Sequence, residues 1–127
     1  MITAMDIYSL PALAELEAES IYILREAAAE FARPAMLCSE EKDSAVLERL
    51  AAKAFAPEEI PFARVRADSP TGAFDALIDP AHGKQKPREF WKLYNTRVQP
   101  GKRVRVLPLA DWTAVDIERY LAAGERT

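Results

Sequence analysis

The sequence contains one cysteine and one histidine among 127 residues, Cys38 and His82. A single cysteine excludes an intramolecular disulfide, and this pair supplies too few of the usual ligands for a structural zinc site. No apolar run is long enough to span a bilayer, and no cationic leader precedes an apolar segment. These absences predict a protein without a membrane segment, and a cytoplasmic location follows by default.

An excess of charge of one sign is also missing, because the formal net charge is only −3. That value gives no global electrostatic case for binding nucleic acid or an anionic membrane. The charge is unevenly spread, however, with a net of −7 over residues 1–60 and +4 over residues 61–127. The basic excess between Lys84 and Arg105 fits a solvated strand edge, and it equally fits a site for a nucleotide or an acidic partner.

Hydrophobic residues make up 50% of the chain and charged residues 29%, which is ordinary for a globular protein. A chain of 127 residues is long enough to bury one core. We therefore expect a single domain spanning residues 1–127.

Residues 10–31 show the clearest periodicity, because mostly apolar residues recur at steps of three and four. The residues of this inward-facing set are Leu10, Leu13, Leu16, Ser20, Ile21, Leu24, Ala28 and Phe31. This spacing predicts a long amphipathic helix that begins near Ser9 and Pro11. Pro34 ends it, because the residue before a proline resists the helical conformation.

Two further helices are predicted. The first follows a polar turn, is capped by Asp43 or Ser44, and is closed by Pro57. The second spans residues 113–123 and stops at Gly124. The apolar residues predicted to face inward from it are Val115, Ile117, Tyr120 and Leu121.

Short apolar stretches between the helices predict strands at residues 35–38, 60–67 and 103–109. The second has Arg64 and Arg66 alternating with apolar residues, which indicates an edge or half-exposed strand. Residues 73–78 fit either a strand or a helical turn, and residues 89–94 fit a brief helix. Strands alternating with helices indicate an α/β fold with a parallel sheet, in which ligands bind beyond the carboxyl ends of the strands.

The chain is organised around residues 36–46, which read as a buried strand, a tight polar turn and a helix start. This is the layout of a phosphate-binding loop, in which backbone amides at a helix N-terminus face the anion. The turn carries Glu40 and Glu41 where such a loop favours small residues. A second polar position, Asp68, follows the next predicted strand and lies at the same edge of the sheet.

A family resemblance rests on segments distributed over most of the chain. They are residues 16–21, 25–31, 34–37, 39, 42–46, 50–51, 53–55, 60–62, 68–69, 73–78, 81–83, 87–98, 100–101, 104–109 and 112–117. Together they resemble the small, ATP-handling subunit of bacterial ATP sulfurylase (sulfate adenylyltransferase subunit 2), in the PP-loop group that includes the phosphoadenylyl-sulfate reductases. The densest match is Pro-Arg-Glu-Phe-Trp-Lys-Leu-Tyr-Asn-Thr-Arg-Val at residues 87–98.

The resemblance implies a reduced adenine-nucleotide α-hydrolase-like, Rossmann-like three-layer fold, with a short parallel sheet of three to four strands flanked by helices. It implies a nucleotidyltransferase of sulfate assimilation that converts ATP and sulfate to adenylyl sulfate and pyrophosphate. ATP and magnesium would then be the substrate and its ion. The nucleotide-binding residues carried over from the family are Ser39, Lys42, Asp43, Ser44 and Asp68.

Departures from the family pattern concern the same turn. The family loop has the form Ser-x-Gly-Lys-Asp-Ser, and Glu41 stands at the glycine with Glu40 before it. Glycine permits close backbone approach and torsions closed to other residues, whereas carboxylates repel phosphate. Long family segments between residues 69 and 74 and after residue 78 are also absent. The pattern therefore predicts an impaired nucleotide site.

Two functions of different class remain open at the level of sequence. One is the enzyme, which in the family pairs with a GTPase large subunit. The other is a non-catalytic shortened or engineered descendant that serves as a structural or partner-binding module. A trimmed sheet also predicts a homodimer through the first helix.

Overall fold

Three helices and four strands are seen in a computed structural model that describes residues 4–66, 74–80 and 104–125. In chain order they are α1 (Ala4–Glu30), β1 (Pro34–Cys38), α2 (Lys42–Phe55), β2 (Ala63–Arg66), β3 (Ala76–Ile78), β4 (Val104–Val106) and α3 (Ala114–Glu125). The predicted short helix at 89–94 and the turn at Asp68 lie outside the described residues.

The four strands form one sheet in the order β2-β1-β3-β4, and every pairing in it is parallel. Met36 of β1 is in register with Arg64 of β2 and with Ile78 of β3. The α/β class and the short parallel sheet flanked by helices are confirmed, and the arrangement is consistent with a Rossmann-like three-layer fold. Within residues 73–78, where a strand and a helical turn were both open, Ala76–Ile78 form a strand.

The core joins apolar side chains of the three helices to alternate strand residues, which point to the same side of the sheet. Met36, Ala76, Ile78 and Val106 supply the sheet side of this core, and all four are fully buried. At the outer edge, β2 is mostly exposed, as its two arginines predicted.

The first helix begins five residues earlier than the predicted start at Ser9, so that prediction is wrong. Pro11 lies inside α1, where its missing N–H removes one intrahelical hydrogen bond and helix packing outweighs the loss. The predicted inward positions Leu13, Leu24 and Phe31 are buried, and the helix ends at Glu30, just before Pro34.

The start of α2 also differs from the prediction. Its N-cap residue is Glu41 rather than Asp43 or Ser44, and the Glu41 side chain makes no capping hydrogen bond. Ser44 lies in the first turn of α2, and its hydroxyl accepts a hydrogen bond from the Ser39 N–H in the preceding loop. The end at Phe55, before Pro57, is as predicted.

The last helix continues through Gly124 rather than stopping there. Thr113 and Asp116 exchange hydrogen bonds of 2.9 and 3.1 Å, a capping box that fixes the helix start. Ile117 and Tyr120 face inward as predicted, whereas Val115 is 54% exposed and that prediction is wrong. Among the described residues, no helix has the length and apolar character needed to cross a membrane.

Candidate functional site: the turn after strand β1

The segment at residues 39–44, called here the 39–44 turn, follows the carboxyl end of β1 and includes the first three residues of α2. β1 has β2 on one side and β3 on the other, so the strand order reverses at this point. In open α/β sheets the crevice beyond such a reversal is where ligands bind. The sequence prediction that the polar turn lies at a carboxyl edge of the sheet is confirmed.

Two serine hydroxyls hold the 39–44 turn together. The Ser39 backbone N–H donates to Ser44 Oγ at 3.0 Å, and the two hydroxyl oxygens are 2.9 Å apart. The Glu41 N–H donates to Ser39 Oγ at 3.2 Å. Ser44 is 2% exposed, so its hydroxyl is buried and makes its hydrogen bonds inside the loop. A phosphate would have to compete with these internal partners.

Glu40 and Glu41 are both exposed at the N-terminal end of α2. Glu41 has φ −74° and ψ 160°, ordinary extended torsions for any residue. Replacing the family's glycine therefore costs no backbone strain in this conformation. What the two residues add is negative charge at a helix end that otherwise attracts anions.

Lys42 lies on the surface beside α3 rather than over the turn. Its Nζ is 3.3 Å from Glu118 Oε1, with both side chains about two thirds exposed (67% and 65%). A surface pair of this kind contributes little to stability and breaks readily. The positive charge of Lys42 is therefore partly neutralised by the Glu118 carboxylate. Asp43, the next residue in the chain, is half-buried.

Cys38 ends β1 directly beneath the turn. Its Sγ is 3.7 Å from Glu48 Oε1, and Arg64 Nε is 3.8 Å from the same oxygen. Burial, followed by the Glu48 charge and hydrogen bond, raises the pKa of the Cys38 thiol. The thiol is thus held protonated, and a protonated thiol is a poor nucleophile.

Sequence reasoning missed one polar residue at this edge of the sheet. Asp79 follows β3, its N–H donates to Val106 O at 2.8 Å, and its carboxylate pairs with Arg105 Nε at 3.2 Å. The sequence feature that could have identified Asp79 is its position directly after a buried strand. Asp68, the other acidic residue predicted here, lies outside the described residues.

The fit of ATP and magnesium to this turn is poor as the side chains stand. Two exposed glutamates lie at the N-terminal end of α2, both serine hydroxyls bond within the loop, and Lys42 is paired with Glu118. In the described ranges, no three His, Cys, Asp or Glu side chains are grouped so that they could hold a metal ion.

Comparison with protein-family models gives no match. Among curated proteins, sulfate adenylyltransferase subunit 2 of Parabacteroides distasonis is 31% identical over 92% of this chain and 66% of the relative. The proteins of the same name from Bacteroides thetaiotaomicron and Saccharophagus degradans are each 30% identical over 92% of this chain, covering 66% and 65% of the relatives.

The chain spans just under two thirds of the length of these relatives. The first alignment runs over 198 positions although this chain has 127 residues, so the relative has segments without a counterpart here. That difference agrees with the family segments missing from the sequence. The chain is therefore a shortened relative of sulfate adenylyltransferase subunit 2.

Proposed function

We propose that this chain is a small-subunit homologue of sulfate adenylyltransferase that keeps the α/β scaffold and has an impaired ATP site. Its relatives are named for adenylyl transfer to sulfate. The chain retains the strand, turn and helix at the sheet position where such a ligand binds. As a PP-loop protein acting on ATP, it would work in the cytoplasm.

The observation that carries the proposal is the charge of the 39–44 turn. Glu40 and Glu41 are exposed at the N-terminal end of α2, and Lys42 is paired with Glu118. An ATP phosphate chain approaching this helix end meets two carboxylates before it meets a free cation. Repulsion at such distances lowers affinity most at low ionic strength, where screening is weakest.

In this proposal the residual nucleotide contacts are Ser39, Lys42, Asp43, Ser44 and Asp68. The two hydroxyls would leave each other to donate to phosphate oxygens, and Lys42 would leave Glu118. Asp68 would bind the ribose or magnesium. Because ATP fits the present arrangement poorly, we assign none of these residues a catalytic step.

Calorimetric titration with Mg-ATP and a non-hydrolysable analogue tests the proposal. We expect weak binding, at millimolar nucleotide or above, by the wild type, and tighter binding by the Glu40→Ile, Glu41→Gly double variant. The matched control is Glu58→Gln, Glu59→Gln, which removes two charges from an exposed glutamate pair just beyond the other end of α2. Wild-type affinity in the micromolar range would overturn the impaired site.

The second candidate is a non-catalytic module that binds a partner. The relatives are named subunit 2, which implies a partner subunit in those proteins. The family resemblance suggests that this partner is a GTPase large subunit. Self-association through α1 is the other form of this candidate, and Tyr22 on that helix is 52% exposed. Sedimentation tests it: a monomer at every protein concentration would exclude the homodimer.

A further inference from the structure

A cavity of about 350 Å³ lies where the three helices meet, away from the 39–44 turn. Leu13 and Ala14 of α1 form an apolar wall, Arg49 and Lys53 of α2 supply two cations, and Tyr120 of α3 closes the far side. This volume falls within the range of small-molecule sites, which are mostly apolar with a few polar groups. The nucleotide proposal makes no use of this cavity.

The charges in the cavity are unequally satisfied. Glu17 Oε2 accepts hydrogen bonds from Lys53 Nζ at 2.8 Å and from the Tyr120 hydroxyl at 2.5 Å, so that carboxylate already pairs with one of the two cations. Arg49 donates only a 3.4 Å bond to the Tyr120 carbonyl oxygen. Over the described ranges, no carboxylate lies within ion-pair distance of the Arg49 guanidinium.

The guanidinium is held in place by packing. The Arg49 Cζ atom lies 5.9 Å from the centroid of the Tyr120 ring, within reach of a cation–π contact. On its other side is Gly124, where an added Cβ would lie 1.8 Å from Arg49 Nη1. The absence of a side chain at Gly124 thus leaves room for a half-buried cation that lines the cavity and, among the residues that the structure describes, has no acidic partner.

We propose that this cavity binds a small organic anion, with its acidic group on Arg49 beside Lys53 and its apolar body against Leu13 and Ala14. A guanidinium is suited to this role because it receives a carboxylate or phosphate through two parallel hydrogen bonds. The lining carries two positive groups and one negative group, so a net attraction for an anion remains after Glu17 is counted.

The test is an NMR titration of the ¹⁵N-labelled chain with benzoate, with its neutral isostere benzamide, and with inorganic sulfate. Benzoate is expected to shift amides at residues 13–17, 49–53 and 120–124 with millimolar affinity. Benzamide, which lacks the charge, and sulfate, which lacks the apolar body, are each expected to bind about tenfold more weakly. Equal binding by either compound, or no response to benzoate, would overturn the proposal.

Variants locate the anion. Arg49→Gln is expected to weaken benzoate binding about tenfold, and Arg49→Lys to retain part of it. Arg119→Gln is the matched control, because Arg119 lies on α3 and is not among the residues lining the cavity. Unchanged benzoate affinity in Arg49→Gln would refute the assignment. Should that variant fail to fold, the comparison of benzoate with benzamide on the wild type still decides the charge requirement.

Discussion

At the scale of single residues, Glu41 shows most clearly what a substitution in the 39–44 turn does. The sequence predicted two obstacles to phosphate there, a lost glycine conformation and added negative charge. With φ −74°, Glu41 needs no glycine-like torsion, so in this conformation the first obstacle does not apply. The negative charge and the size of the Glu41 side chain remain as obstacles to phosphate binding.

The sequence also located Lys42 and Ser44 correctly in the turn but not their partners. Lys42 pairs with Glu118, which is 76 residues away in the chain, and no periodicity links two such positions. Ser44 was predicted as a contact or a cap, and its hydroxyl instead bonds with Ser39. Local pattern predicts where a residue stands, whereas partners depend on how α2 and α3 pack.

Ser44→Ala is expected to lower the free energy of unfolding by about 1–2 kcal/mol, because the Ser39 N–H loses its acceptor. Chemical denaturation measures the change. Ser39→Ala and the double variant complete a cycle, and we expect a coupling of at least about 0.5 kcal/mol between the two hydroxyls. Strict additivity would mean that the hydroxyl pair does not hold the turn.

Glu17 predicts a pH dependence. Its partial burial opposes ionisation, but hydrogen bonds from Lys53 and Tyr120 and the Lys53 charge outweigh that effect and lower the pKa of the carboxyl. The unfolded chain therefore binds the proton more readily, so Glu17 stabilises the fold above its ordinary pKa of 4.5 and loses this effect as pH falls below it.

Glu17→Gln is accordingly expected to reduce the loss of stability between neutral and acid pH, as followed by thermal melts across that range. The control is Glu15→Gln, an exposed position on the same helix. Equal pH slopes for the two variants and the wild type would show that the Glu17 contacts do not contribute.

At the scale of elements, a buried polar contact links α1 to the segment before α3. The Ser20 hydroxyl donates to Pro108 O at 2.8 Å and accepts from Trp112 Nε1 at 2.9 Å. Ser20 and Trp112 are each 1% exposed. The helix pattern already placed Ser20 among inward positions, where a serine stands out, but nothing in the sequence paired it with Trp112.

Ser20→Ala is expected to cost about 1–3 kcal/mol of stability, because two buried polar groups lose their partner at once. Trp112→Phe removes the indole donor, so the Ser20→Ala, Trp112→Phe double variant should cost less than the sum of the single variants. Urea denaturation measures all three. A neutral Ser20→Ala would contradict the role of this contact.

Element boundaries were the least predictable feature, for physical reasons. α1 runs through Pro11 because packing compensates for one missing hydrogen bond, and α3 runs through Gly124, which packs against Arg49. β3 has three residues, too few for a period of two to be read, and its strand identity comes from pairing with β1 and β4. By contrast, the existence of α1 and β1 could be predicted from local sequence pattern, without knowledge of how the elements pack or pair.

At the scale of the whole molecule, the strand order explains why we propose the 39–44 turn as the site. β1 occupies an inner position and the order reverses beside it, which directs the 39–44 turn into the crevice at the carboxyl edge. The alternation of helices and strands predicted the parallel sheet, but it did not give the order. That order depends on which strands pair across the chain, as β1 does with β3.

The relation to longer sulfate adenylyltransferase subunits is a second property of the whole chain. A sheet with an inner β1, and a core between that sheet and the helices, are present in a chain whose alignment spans just under two thirds of the relatives' length. The α/β scaffold is thus present, and we propose that Glu40 and Glu41 alter the nucleotide site that it carries.

The most direct test of this account is the Mg-ATP affinity of the Glu40→Gln, Glu41→Gln variant at low ionic strength. This change removes the charge and leaves the backbone and side-chain size nearly unchanged. We predict affinity at least about tenfold higher than that of the wild type, with the difference shrinking as salt is added. Equal affinity for the two proteins at low salt would contradict the claim that the glutamate charges impair the site.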